Sequence, residues 1–350
     1  MRITDLVVAR RLLGLVRYAR AMKTRFTEHA GIEIPLICGA MYPCSNPELI
    51  AAVSEAGGIG IVQPISMTYV HRHDLREGIR LIRRTTHKPI GFNALVEASS
   101  RVYLDRMKKW VDVALDEGVR FFVTALGDPR WVVEAVHARG GVVYHDVTER
   151  KWADKALAAG VDGLICVNER AGGHAGNRSP ERLVEELGGL GLPLICAGGV
   201  GDPETFRRML SLGYAGVQMG TRFIATPECR AHDDYKRAIV EADADDVVLS
   251  EKISGVPVAV IATEYVKKVG TKAGPVMRRM LRHPRLKHYA RMFYSAQSVW
   301  KLKRASLRGG GYEPYFQAGK SVAGIERVEP AAEIVRRFGA ALATTPSATA

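Results

Sequence analysis

Between residues 35 and 221 the chain alternates short apolar runs with amphipathic stretches, and glycine-bearing turns separate them. The runs are PLICGAM (35–41), GIGIV (58–62), IGFNAL (90–95), FFVTAL (121–126), VVYHDV (142–147), GLICVN (163–168), PLICAGGV (193–200) and AGVQMG (215–220). Each is brief and nearly continuous, as expected of strands buried on both faces. The segments between them have helical spacing. In NPELIAAVSEAGG, Leu49, Ile50, Val53 and Ala56 share a face, Asn46 is an expected N-cap and Pro47 sits at the first helical position. Ser179 with Pro180, and Asp202 with Pro203, repeat that start, and Gly188 and Gly213 mark the stops. Eight such units, spaced by roughly 20 to 30 residues, predict an α/β fold of the (β/α)8 TIM-barrel type. An open doubly wound sheet shares the alternation. Eight strands, with candidate functional residues gathered after the late ones, favour closure. Beyond Arg222 the rhythm is lost. The expected organisation is a basic amphipathic helix over 1–24, a barrel over 25–229 and 326–342, and a basic helical lid inserted after strand eight over 230–325, with a frayed ATTPSATA tail.

Composition narrows the classes. Over 350 residues, 47% are hydrophobic and 25% charged, the balance of a soluble globular protein. No run approaches the ~20 apolar residues of a membrane span. Arg10, Arg11, Arg17 and Arg20 break the N-terminal apolar stretch and no small-residue cleavage site follows, so no secretory signal is read and a cytoplasmic location is expected. The basic helix suits either the outside of the fold or peripheral contact with an anionic membrane face. The five cysteines form no CxxC pair, and the three inside strand-like runs (Cys38, Cys166, Cys196) read as buried small hydrophobes.

Charge placement adds a partner class. Net charge is +13, and thirteen Lys and Arg lie between Tyr265 and Arg308 with no Asp or Glu among them. Such a segment suits an acidic partner such as a phosphorylated cosubstrate, a carrier protein, anionic lipid or nucleic acid, with a solvated helical face as the alternative. Of these, no nucleic-acid partner is expected, and the oligomeric state is left open.

In a parallel barrel the chemistry sits at the C-terminal strand ends, with phosphate commonly held after strands seven and eight. Those positions read AGGVGD (197–202) and MGTRF (219–223). Gly198, Gly199 and Gly220 let backbone N–H groups approach an anion, Thr221 adds a hydroxyl, and the helix starting at Asp202 adds its dipole. Arg222 either adds charge or points away. Strand six runs into NERAGGHAGNRSP, where glycines flank His174 in a loop whose sole apolar residue type is alanine. That composition projects the imidazole into the barrel mouth, and a pKa of about 6.5 suits proton transfer. His145, ending strand five, is also expected at the mouth, with Asp146 facing the other side by alternation. His71 and His73 fall in a polar loop, His283 and His288 in the basic segment. No histidine pair has metal-ligand spacing with a carboxylate, so no metal is predicted. GxGxxG after a strand, GxSxG and GxxxxGK[ST] are absent, which removes dinucleotide-fold, hydrolase-elbow and P-loop readings.

The stretch AGGHAG followed by PLICAGGVGDPETFRRMLSLGYAGVQMGTRFIATPEC resembles the nitronate monooxygenase family, and so does TRFTEHAGIEIPLICGAMYPCSNPELIAAVSEAGGIGIV. The match runs from about Thr24 to Cys229, with a weaker echo in QAGKSVAGI. The same motifs occur in FMN-dependent enoyl-acyl-carrier-protein reductases and NADH:quinone reductases of that fold. The resemblance implies FMN as cofactor, with Ala40, Met41, Asn93 and His145 near the flavin ring. It implies that Gly172 and Gly173 line the ring, and that Gly198, Gly199, Gly220 and Thr221 hold the phosphate. His174 matches the family's catalytic histidine, and Gln317, Gly319, Lys320 and Ser321 match the substrate-side echo. The first strand departs from the common QGGM, reading CGAM. The implied activity is oxidation of a small-molecule nitronate or nitroalkane with O2. One alternative is an NAD(P)H-dependent reductase of an enoyl thioester or quinone. Another, of a different class, is a membrane-associated binding module without flavin.

Overall fold

The computed structural model describes residues 23–97, 101–252, 255–274, 302–308 and 315–343. The helix expected over 1–24 and most of the basic segment lie outside the described residues.

Eight parallel strands close into a barrel in sequential order. They are β1 (Leu36–Cys38), β2 (Ile59–Val62), β3 (Gly91–Leu95), β4 (Phe121–Ala125), β5 (Val142–Val147), β6 (Gly163–Val167), β7 (Leu194–Ala197) and β8 (Gly216–Met219), and β1 pairs with β8 through Ile37 and Gln218. The strands fall within the expected apolar runs. Alternation along each strand separates two buried populations. Leu36, Phe92, Phe122, Val143, Val147, Cys166 and Cys196 pack outward against the helical ring. Ile37, Ile61, Phe121, Val123, Tyr144, Ile165 and Ile195 fill the interior. Cys38, Cys166 and Cys196 are buried and free, as their apolar surroundings in the sequence imply, and so are Cys44 and Cys229.

The floor of the barrel is plugged by the helix Arg25–Ala30, started by a Thr24–Thr27 capping box. It delivers Phe26 edge-on to Phe121 and Tyr144, with ring centroids 5.8 Å and 5.7 Å apart. Two glycines make room for this layer. A Cβ on Gly216 would lie 2.6 Å from Phe26 Cδ1, and one on Gly163 would lie 2.1 Å from Tyr144 Cε1. Gly163→Ala is therefore expected to lower stability by about 1–3 kcal/mol, the usual cost of overpacking a filled core. A chemical-denaturation midpoint equal to wild type would show that Tyr144 relaxes freely.

The helix Ala331–Ala343 packs beside Pro47–Glu55 and Pro203–Ser211, filling the ring where the first and last barrel strands meet. Ser179 and Asp202 cap their helices as expected, Ser179 accepting from Arg182 N and Asp202 from Glu204 N and Thr205 N. Asn46 does not. It makes no cap bond, and its amide instead donates to Glu48 Oε2 (2.6 Å) and the Glu228 carbonyl (2.9 Å).

The segment after β8 departs from the helical expectation. It holds the helix Asp233–Glu241, then an antiparallel pair, β9 (Val247–Ser250) and β10 (Val258–Ile261), then the helix Glu264–Val269. The four-residue runs VVLS and VAVI acquire strand structure from pairing with each other, and β10 also bridges to Gly173 and Gln317. No helix among the described residues is long and apolar enough to cross a membrane.

Candidate active site

The loops after β6, β7 and β8 and the segment 317–321 meet at the C-terminal end of the barrel. Asn168, fully buried, joins the first two: its Nδ2 donates to the Gly198 carbonyl at 3.0 Å and its Oδ1 accepts from Arg170 N at 2.8 Å. Gly198 and Gly199 adopt φ of +121° and +80°. A Cβ on Gly198 would stand 2.5 Å from both Ala171 N and Asn168 Oδ1, and one on Gly199 would meet the Arg170 side chain at 2.8 Å. Close loop packing, as well as an open approach to an anion, thus calls for glycine here. Arg170, which the sequence did not single out, lays its side chain over the Gly199 turn and brings a cation to this cradle.

The β6 loop then turns through Gly173 at φ +70°, with open space where its side chain would be. His174 follows, exposed to the mouth. The surrounding protein still withdraws enough water from the ring to hold its pKa below the usual imidazole value. A lowered pKa leaves the ring neutral near pH 7, the form that accepts a proton.

Gln317, Gly319, Lys320 and Ser321 are brought to this loop. Lys320 N donates to the Arg170 carbonyl at 2.9 Å, Ala259 N to the Gly173 carbonyl at 2.8 Å, and Gly319 N to Thr221 Oγ1 at 3.0 Å. Gly172 and Gly319 approach so closely that a Cβ on either would fall within 2.9 Å of backbone of the other segment. Ser321 is buried beside Gly201, and the Gln317 carbonyl accepts from Tyr235 Oη. Thr221 accepts from Gly319, and its hydroxyl hydrogen stays available to an anion at the Gly220 turn. Met41 lies across from Gly220, where an added Cβ would be 3.4 Å from its sulfur, and Ala40 borders the interior cluster.

One expectation about charge is corrected, and one alternative left open is decided. The helix Pro203–Ser211 offers no free N-terminus, because Asp202 Oδ1 already accepts from Glu204 N (2.8 Å) and Thr205 N (2.9 Å) and adds negative charge there. Arg222 is buried, donates to the Ala225 and Arg327 carbonyls, and has its pKa lowered to about 10 by burial. It ties the strand-eight turn to the C-terminal return instead of facing the cradle.

A second correction concerns strand five. His145 belongs to the outward file with Val143 and Val147. Its Nδ1 lies 2.8 Å from Thr124 Oγ1, and burial lowers its pKa to about 4. Asp146 shares the interior file of Val142 and Tyr144, as Asn93 shares that of Val123, its register partner. Asp146 Oδ1 and Gln218 Oε1 are both sealed from solvent without a hydrogen-bond partner. Gln218 points inward beside Gly39, where an added Cβ would be 3.0 Å from its Cγ. The upper interior thus carries polar atoms with nothing to bond, above an apolar floor.

Those orphaned atoms and the glycine-lined, Arg170-flanked cradle fit a planar polar ligand with an anionic tail, the shape of a flavin mononucleotide.

A parallel (β/α)8 barrel with polar groups at its C-terminal mouth has its candidate site where barrel enzymes carry theirs. The family model for nitronate monooxygenase matches residues 23–339, and the chain belongs to that family. A Mycobacterium tuberculosis (3aS,4S,5R,7aS)-5-hydroxy-7a-methyl-1-oxo-octahydro-1H-indene-4-carboxyl-CoA dehydrogenase is 32% identical, over 71% of this chain and 68% of that protein. A nitronate monooxygenase from Pseudomonas aeruginosa is 30% identical over 90% of this chain and 98% of its own length. The solved structure of FabK from Thermotoga maritima is similar with a TM-score of 0.77 and 30% identity, covering 92% of this chain and 96% of that one.

Proposed function

We propose that this protein is an FMN-dependent oxidoreductase of the nitronate monooxygenase type, in which His174 takes the α-proton of a neutral nitroalkane. The observation that carries this is the presentation of His174: a neutral imidazole raised into the mouth on a left-handed glycine, beside a glycine cradle for phosphate. Gly198, Gly199, Gly220, Thr221 and Arg170 would hold the phosphate, and Ala40, Met41, Asn93, Gly172 and Gly173 would border the ring. When bound, the flavin supplies the electron acceptor, and O2 completes oxidation to a carbonyl product. The protein's own share is to orient the carbon acid, exclude water and hold the abstracted proton on His174. A preformed nitronate needs only the orienting part.

A second reading is favoured by charge. Thirteen cations without a carboxylate between Tyr265 and Arg308 suit a nucleotide, CoA or acyl-carrier substrate better than a small nitroalkane. The carboxyl-CoA dehydrogenase relative points the same way. In that case NAD(P)H or the thioester is the electron donor, and His174 moves the proton at the carbon next to the thioester carbonyl.

One experiment tests both. The purified protein is expected to be yellow and to release FMN, not FAD, on heat denaturation. Anaerobic nitronate should bleach it under the first reading. Bleaching by NAD(P)H, reversed by an enoyl thioester, with no response to nitronate, would support the second. A folded, colourless protein would overturn both and leave the binding-module alternative.

A further inference from the structure

Asp146 is a carboxyl for which the described residues provide no partner. It ends the interior file of β5 above Tyr144, level with Ile165 of β6 through the barrel register. The side chain is half-buried, and its Oδ1 is sealed from solvent and unbonded. Among the described residues, the elements packed against it bring no cation. On β4 the neighbours Thr124 and Ala125 carry no charge. On β6 the nearest titratable group is the Cys166 thiol, which faces outward and is itself pushed up by burial, with Cys196 and Asp146 adding to the shift. On its own strand His145 is neutral and bonded to Thr124, and Tyr144 is held protonated by burial. Burial is likewise the cause that raises Asp146, to about 7. A carboxyl in such a place responds to any charge that appears in the same low-dielectric enclosure, because nothing nearby compensates it.

We propose that Asp146 is a redox-linked proton acceptor of this site, taking up one proton when the bound flavin accepts two electrons. The inference rests on the flavin reading above. Two electrons and one proton reach the flavin together, as hydride, from a reduced nicotinamide, which leaves as the oxidised nicotinamide. The added negative charge raises the proton affinity of the Asp146 carboxylate. One further proton then passes from water to its oxygen, and no other bond changes. Oxidation of the flavin returns that proton to solvent. Asp146 thereby keeps the enclosure from gaining net charge, a role separate from the proton transfer at His174.

The sign of the effect sets the test. Below about pH 7 Asp146 is already protonated in the oxidised protein and takes up nothing more on reduction. Above it, reduction binds one extra proton for every two electrons. Spectroelectrochemical titration of the holoprotein on both sides of pH 7 should therefore show a potential that falls more steeply with pH above that value. Asp146→Asn should lose the break, match wild type at low pH and have the higher potential at high pH. Identical curves for two flavin-loaded proteins would overturn the inference while leaving the flavin reading intact. A colourless wild-type protein would instead remove the flavin reading itself. If the variant fails to fold or to retain flavin, the infrared difference spectrum of wild type on reduction above pH 7 decides. A new neutral-carboxyl band with loss of carboxylate is expected, and absence of that band overturns the assignment.

Discussion

His174→Ala is expected to lower turnover of a neutral nitroalkane by roughly 10² to 10⁴, the span associated with loss of a positioned general base. Flavin content should be retained, since the glycine cradle is built from the loops after β7 and β8 and the imidazole stands on the loop after β6. Preformed nitronate, which needs no deprotonation, should lose far less. The pH profile supplies a second check. Water withdrawn by the surrounding protein lowers the pKa of His174, so in wild type kcat/KM for the nitroalkane should rise with pH through a value below that of a free imidazole and then stay level. That limb should vanish in the variant. Equal losses on nitroalkane and nitronate would show that His174 orients the substrate and leaves its proton alone.

What was legible in the sequence divides by physical cause. The eight barrel strands were readable because each is a short apolar run between turn signals, and the barrel interior and the helical ring both reward apolar side chains. That same property hid the phase of the alternation. VVYHDV is buried on both faces, so nothing local says which side chains turn inward, and His145 was expected at the mouth where Asp146 stands. The register that decides the matter comes from β4 and β6, far away in sequence. The pair β9 and β10 was missed for a related reason. Its runs are four residues each, and their strand character comes from mutual pairing and from Gly173 and Gln317. Asp202 was recognised as a cap, yet a cap that takes the first N–H groups of its helix removes the anion site that the same helix seemed to offer. The QAGKS segment was recognisable only as a motif. Its place became clear through single backbone bonds, Lys320 N to Arg170 O and Gly319 N to Thr221 Oγ1, which no composition signals.

Gly198→Ala should be the substitution that most damages cofactor binding without touching a polar side chain. Two costs add at this position. A φ of +121° is one that L side chains rarely adopt, a strain of order 1–3 kcal/mol. The new methyl would also lie 2.5 Å from Ala171 N and from Asn168 Oδ1, neither of which is the end of a flexible chain. Relief requires the β6 and β7 loops to part, which breaks the 3.0 Å bond from Asn168 Nδ2 to the Gly198 carbonyl and shifts the loop carrying His174. Overpacking of this kind costs about 1–3 kcal/mol. If roughly 3 kcal/mol of the total falls on the bound state, FMN affinity drops by about 10². Gly173→Ala is the informative control, because its φ of +70° is also left-handed but nothing lies within 4 Å of the added methyl. It should pay strain alone and lose about tenfold or less. Fluorescence titration of the two apoproteins with FMN distinguishes the outcomes. Equal affinities in the two variants would mean that the loops after β6 and β7 can separate at little cost, and that the clamp through Asn168 does not hold the cradle.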